Sequence, residues 1–111
     1  MRPILVDGMT WRVVRVSPGD PGLVDMAGLA RVATADPATR TIRIAAHLVP
    51  PLLDKVVLHE IAHAVTMSYD LPYEEDERLA TFFENHAIQV TLLASEALGR
   101  PVCVRGDCIC R

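Results

Sequence analysis

Apolar and polar positions change their spacing about half-way along the chain. Up to residue 47 the apolar residues come in short, β-branched-rich runs separated by turn formers. The opening PILVDGMTWRVVRV is two such runs around Asp7-Gly8, a dipeptide suited to the positive φ angles of a tight hairpin turn. SPGDPG, residues 17 to 22, is dense in turn formers, and GLARVATADPATRTIRIAA then supplies two further runs with a turn at ADPAT. In TRTIRIA, Ile42 and Ile44 alternate with Thr41 and Arg43, the pattern of a strand with one buried face. Three or four antiparallel strands are expected between residues 3 and 47.

Beyond that point the period becomes helical. Pro50 and Pro51 suit a first helical turn, and LLDKVVLHEIAHAVTMSY continues without a breaker until Asp70-Leu71-Pro72. Its apolar residues cover nearly the whole circumference, which predicts a helix buried by its neighbours. A second helix is expected from near Tyr73, with Glu74, Glu75, Asp76 and Glu77 in its first turn, to Leu98, where Gly99 and Pro101 stop it. The fold class that follows is α+β: a small antiparallel sheet packed on two helices, in one domain over residues 1–100.

Composition narrows the partners. The 111 residues suffice for one modest core, and half of them are apolar. Charged residues interrupt every apolar run, so no stretch is long enough to span a bilayer. The N-terminal MRPILVDG has no signal-peptide h-region, and a cytoplasmic location is expected. Eleven basic against fourteen acidic residues, with no basic block, argue against nucleic acid as a partner. Cys103, Cys108 and Cys110 fall in the terminal segment, residues 101–111, and read as reduced thiols in a loose tail, since three thiolates fall short of a closed zinc site.

The first helix carries the chemistry. Positions i and i+4 of an α-helix lie about 40° apart around the axis and roughly 6 Å along it, so His59 and His63 project side by side. Two imidazoles so placed can reach one zinc ion, and Glu60, beside them, can take a proton from water there. This is the pattern H-E-x-x-H. A mid-helix position in an apolar segment makes three polar groups costly to bury without a partner such as a metal. The competing reading is a pair of hydrogen-bonded core histidines with Glu60 on a solvated edge.

A catalytic zinc normally takes three protein ligands. Glu77 and Glu84 share a face of the second helix and are both candidates for the third. A donor for a developing oxyanion is sought among Tyr69, Tyr73 and His86, each of which also reads as a helix-end or core residue. His47 reads as a surface residue and Trp11 as a core anchor.

The segment VVLHEIAHAVTMSYDLPYEEDERLATFFENHAIQV resembles the small zincin-like metallopeptidases of phages, prophages and bacterial mobile elements, distantly related to the ImmA/IrrE family. In that family the third ligand is the glutamate of E-x-x-A-x-x-F on the helix after the motif. That pattern falls here on Glu77, Ala80 and Phe83, so the resemblance implies His59, His63 and Glu77 as metal ligands and Glu60 as the catalytic base. It further implies a gluzincin-like fold, a Zn2+ cofactor, a protein or peptide substrate and peptide-bond hydrolysis. The extended substrate is expected to pair with an edge strand, most simply the one ending near Ala45-Ala46. The link from His63 to Glu77 is short, and no attached DNA-binding or sensor domain is expected. A different class of reading is a small regulatory protein of phage or mobile-element origin that binds zinc without turnover; Glu60 argues against it, because a structural site needs no base.

Overall fold

The computed structural model describes residues 1–25, 27–68, 76–104, 107 and 108; for 76–85, 103, 104, 107 and 108 it describes the backbone alone. Asp7 and Gly8 have φ of +50° and +77°, both positive as the tight hairpin turn requires, and they join β1 (Ile4–Val6) to β2 (Met9–Val16) in antiparallel register. A 3-10 turn at Pro21–Leu23 follows, where the Asp20 carboxylate accepts the Gly22 N–H. The chain then forms β3 (Ala33–Asp36) and β4 (Thr41–Ala45), an antiparallel pair closed by a turn in which Asp36 accepts the Ala38 N–H.

The strand order is β1-β2-β4-β3, so β4 inserts between β2 and β3. Its pairing with β2 is parallel, from Arg12 opposite Thr41 to Val16 opposite Ala45. The sheet is therefore mixed, not the antiparallel sheet expected. The long connection through the 3-10 turn and β3 lets β4 return in the direction of β2, which a tight hairpin cannot do.

Helix α1 (Leu52–Ser68) begins just after Pro51, whose carbonyl accepts the Lys55 N–H at 3.1 Å. Its Val57, Ile61, Ala64 and Val65 are buried in one core with Ile42 and Ile44 of β4, Val13 and Trp11 of β2, and Ile4 and Val6 of β1. The other side of α1 is open: Leu52, Lys55 and His59 are exposed, so the helix is buried on one face only and not around its circumference. The Arg15 guanidinium of β2 donates to the carbonyls of Ala45, Ala46 and Leu48, which ties down the link between β4 and α1.

Helix α2 (Asp76–Leu98) packs on α1 and β1. Gly99, at φ +72°, ends it: the N–H groups of Gly99 and Arg100 both reach the Ser95 carbonyl, a left-handed cap that suits a residue without Cβ. Arg100 then turns back to α1, donating two hydrogen bonds of 2.6 and 2.7 Å to the carboxylate of Asp54.

The described part of the terminal segment contains a short strand pair. Val102 is fully buried, and β5 (Cys103–Val104) pairs antiparallel with β6 (Asp107–Cys108), with Cys103 opposite Cys108 in the backbone register. Cys110 lies outside the described residues. Among the described residues no helix is long and apolar enough to cross a membrane.

Candidate active site

One turn of α1 brings the imidazoles of His59 and His63 together. Their Nε2 atoms are 2.9 Å apart and the rings meet edge to face, with centroids 4.5 Å apart. At 2.9 Å one ring donates a hydrogen bond to the other; two donors on a tetrahedral zinc with bonds of about 2.0 Å sit roughly 3.3 Å apart, so the separation of the two nitrogens is close to what one zinc ion requires. Burial lowers the His63 pKa, with the charge of His59 as the lesser cause, and both effects favour the neutral ring that a metal needs. His59 is the exposed member of the pair and His63 is half-buried.

Glu60 lines the same cleft as this pair and is only 7% exposed. Helix α1 buries three polar side chains, and two of them are accounted for by the fold: Thr66 donates to the Ala62 carbonyl at 2.7 Å, and Asp54 holds Arg100. Glu60 has no hydrogen bond among the described residues. Burial pushes its carboxyl from 4.5 up to about 7, and the positive charge of Arg31 pulls partly the other way. A buried carboxyl with no hydrogen bond among the described residues is a cost to the fold and makes Glu60 a candidate functional group.

The cleft in front of these residues has a volume of about 880 Å³. From α1 it is lined by Val56, His59, Glu60, His63 and Met67; from the sheet, by residues 31 to 37 and Arg43. Strand β3 is thus the wall facing the motif, and it is also the outermost strand, with nothing paired to its far side among the described residues. The expectation that the strand ending near Ala45-Ala46 forms this edge is corrected. β4 is interior, paired with β2 on one side and β3 on the other.

A loop closes one end of the cleft. The Asp25 carboxylate accepts the N–H groups of Ala27 and Leu29 and the Arg31 Nε, and these bonds, that from Leu29 foremost, hold it below the usual carboxylate range. Arg31 is fixed by this contact close enough to Glu60 to act on its charge. Neither Asp25 nor Arg31 stands out in the sequence. The Asp that accepts N–H groups two and four residues on is the local signal for the loop, but its proximity to Glu60 is a long-range fact.

Among the described residues no three His, Cys, Asp or Glu side chains converge as a metal-binding group. The side chains of Glu77 and Glu84 lie outside the described residues, as do Tyr69 and Tyr73. His86 does not line the cleft; its Nδ1 is 2.8 Å from Gln89 Oε1 within α2. His47 is exposed and Trp11 is buried in the core, as their patterns predict.

Comparison with known families, curated proteins and solved structures gives no match. The case for this site rests on its own geometry.

The buried glutamate has a consequence for the metal-free protein. Because its folded pKa lies above the ordinary value, its contribution to stability is full below pH 4.5 and is lost as pH rises through about 7. The difference corresponds to about 3 kcal/mol at most. Glu60→Gln, which cannot ionise, is therefore expected to be more stable than the parent at pH 8 and about equal to it at pH 4.5, measured by urea unfolding in the presence of chelator. Equal stabilities at pH 8 contradict the burial of a charged Glu60.

Proposed function

We propose that the protein is a zinc-dependent metallopeptidase of the ImmA/IrrE-like, gluzincin type. The observation that carries this reading is the convergence of His59 and His63 Nε2, 2.9 Å apart, beside an otherwise unused buried Glu60 at the mouth of a cleft bounded by an edge strand. His59 and His63 would hold the zinc, and Glu77, by its match to the family pattern, would complete the set, with Glu84 as the alternative. The chemistry zinc supplies when held there is Lewis acidity toward a carbonyl and toward water.

The protein's own groups do the rest. The open edge of β3 takes an extended peptide as an added strand, so main-chain hydrogen bonds align the scissile bond with α1. Glu60 removes a proton from the attacking water and returns it to the departing amine. The apolar side chains of Val56 and Met67 flank the motif and limit access of bulk water.

The test is zinc stoichiometry by elemental analysis after dialysis, together with hydrolysis of a lysate-derived peptide pool followed by mass spectrometry. The wild type is expected to bind one zinc ion and to cut peptides in a chelator-sensitive way. His63→Ala is expected to weaken zinc by more than about 100-fold, since even outer partners of such ligands contribute up to that much. Glu77→Ala is expected to do the same, and Glu84→Ala to leave affinity intact. Zinc bound without any peptide cut speaks for the non-catalytic regulator.

A further inference from the structure

The cleft does not end at α1. It continues round the open edge of β3 to the opposite face of the sheet, where Gly22, Thr34, Asp36 and Arg43 line it. Strand alternation puts Arg43 on the other face from the core residues Ile42 and Ile44. Its cross-strand partner Thr34 shares that face and donates its hydroxyl to the Gly22 carbonyl at 2.7 Å, seating the 3-10 turn over the two residues.

Arg43 is positioned there by packing. Its stem crosses Gly22 so closely that a Cβ at residue 22 would overlap Arg43 Cδ, and its side chain is 27% exposed. Its charge is only loosely met by the fold. Among the described residues its one ion pair is with Asp36 Oδ2, at 3.9 Å and beyond hydrogen-bond reach. That carboxylate is engaged in its own turn, accepting the Ala38 N–H at 2.9 Å and the Thr39 hydroxyl at 3.0 Å. Arg31, the other cleft arginine, is taken by Asp25 at 2.7 Å. Among the described residues the Arg43 side chain makes no hydrogen bond, so the wall presents a held guanidinium whose donors are open.

We propose that Arg43 is a specificity-determining residue that selects an Asp or Glu side chain in the segment lying along β3. The proposal rests on the peptidase reading above, because an added strand is what carries a side chain to this face. A strand's side chains alternate, so residues that face α1 and the histidines are flanked by residues that face Arg43 and Thr34. The carboxylate belongs to a side chain and not to a chain terminus: the cleft runs past Arg43 both ways, to Arg31 and Val32 on one side and to Asp36 and Pro37 on the other. A chain crossing there continues.

The experiment uses short, C-terminally amidated peptide libraries that differ only in Glu or Gln at one central position. Cleavage by the zinc-loaded wild type is read by mass spectrometry, and retention on immobilised, zinc-loaded Glu60→Gln protein is read in parallel. The Glu library is expected to be preferred about tenfold or more in both, the scale of a charged hydrogen bond. Arg43→Gln is expected to erase the preference and Arg43→Glu to turn it toward a Lys library. Gly22→Ala, which moves the arginine without altering charge, is expected to blunt it. Thermal melts of each variant check folding. Equal use of Glu and Gln by the wild type, or an unchanged preference in Arg43→Gln, overturns the proposal, as does a preference that appears only with a free C-terminus. Selective retention of the Glu library without cleavage by the wild type sinks the peptidase reading and leaves the role of Arg43 standing.

Discussion

On the peptidase reading proposed above, Glu60→Gln is expected to retain zinc and lose turnover. The substitution preserves size and leaves His59 and His63 untouched, so elemental analysis should still find one metal ion per chain. It removes the one carboxyl that lines the cleft with the histidine pair on α1 among the described residues, 7% exposed. General-base catalysis is worth about 10²- to 10⁴-fold, and kcat should fall by that factor with KM little changed. The pairing of retained metal with lost rate is what separates a catalytic base from a structural residue, whose loss would move both. Wild-type turnover in Glu60→Gln contradicts the assignment.

The second large effect concerns the frame that holds α1. Asp54 has no exposed surface, and its two oxygens accept from Arg100 at 2.6 and 2.7 Å, the forked geometry that makes arginine and carboxylate pairs strong. Arg100 sits just beyond the glycine cap of α2, so this one contact ties the end of the second helix to the first turn of the motif helix. Arg100→Met takes both charged bonds from a fully buried carboxylate and is expected to cost about 3–5 kcal/mol in urea unfolding. Asp54→Ala is expected to cost less, because the Arg100 side chain is 36% exposed and can turn to water. The double variant should lose less than the two single losses combined, since the second change removes a group whose contact with the other is already gone. Strict additivity would show that the contact contributes nothing to stability.

These expectations draw on unequal kinds of legibility. His59, Glu60 and His63 can be read directly, because the relation of i to i+4 is a property of the α-helix and needs only that the segment be helical. The Asp7-Gly8 turn and the Gly99 cap are read for the same reason: each depends on a local φ that its own residues tolerate. The alternation in β4 correctly marks Ile42 and Ile44 as core, and Trp11 as their companion.

The order of the strands is a different matter. β4 and β3 have similar patterns, and nothing in TRTIRIA or RVATAD says which one will be interior. That choice depends on β2 and β4 meeting in parallel across about thirty intervening residues, a pairing whose register comes from burying both strands in one core. It made β3 the wall of the cleft and moved the open edge of the sheet away from Ala45-Ala46.

The same long-range packing laid Arg43 over Gly22, set Arg31 near Glu60 and joined Arg100 to Asp54. Local geometry in the chain was enough to specify a pair of histidines and a glutamate on one helix, because helical spacing repeats whatever surrounds it. Which carboxylate is buried, which edge is open and which arginine faces the cleft depend on contacts between residues far apart in sequence, and those exist only once the sheet has closed on the helices.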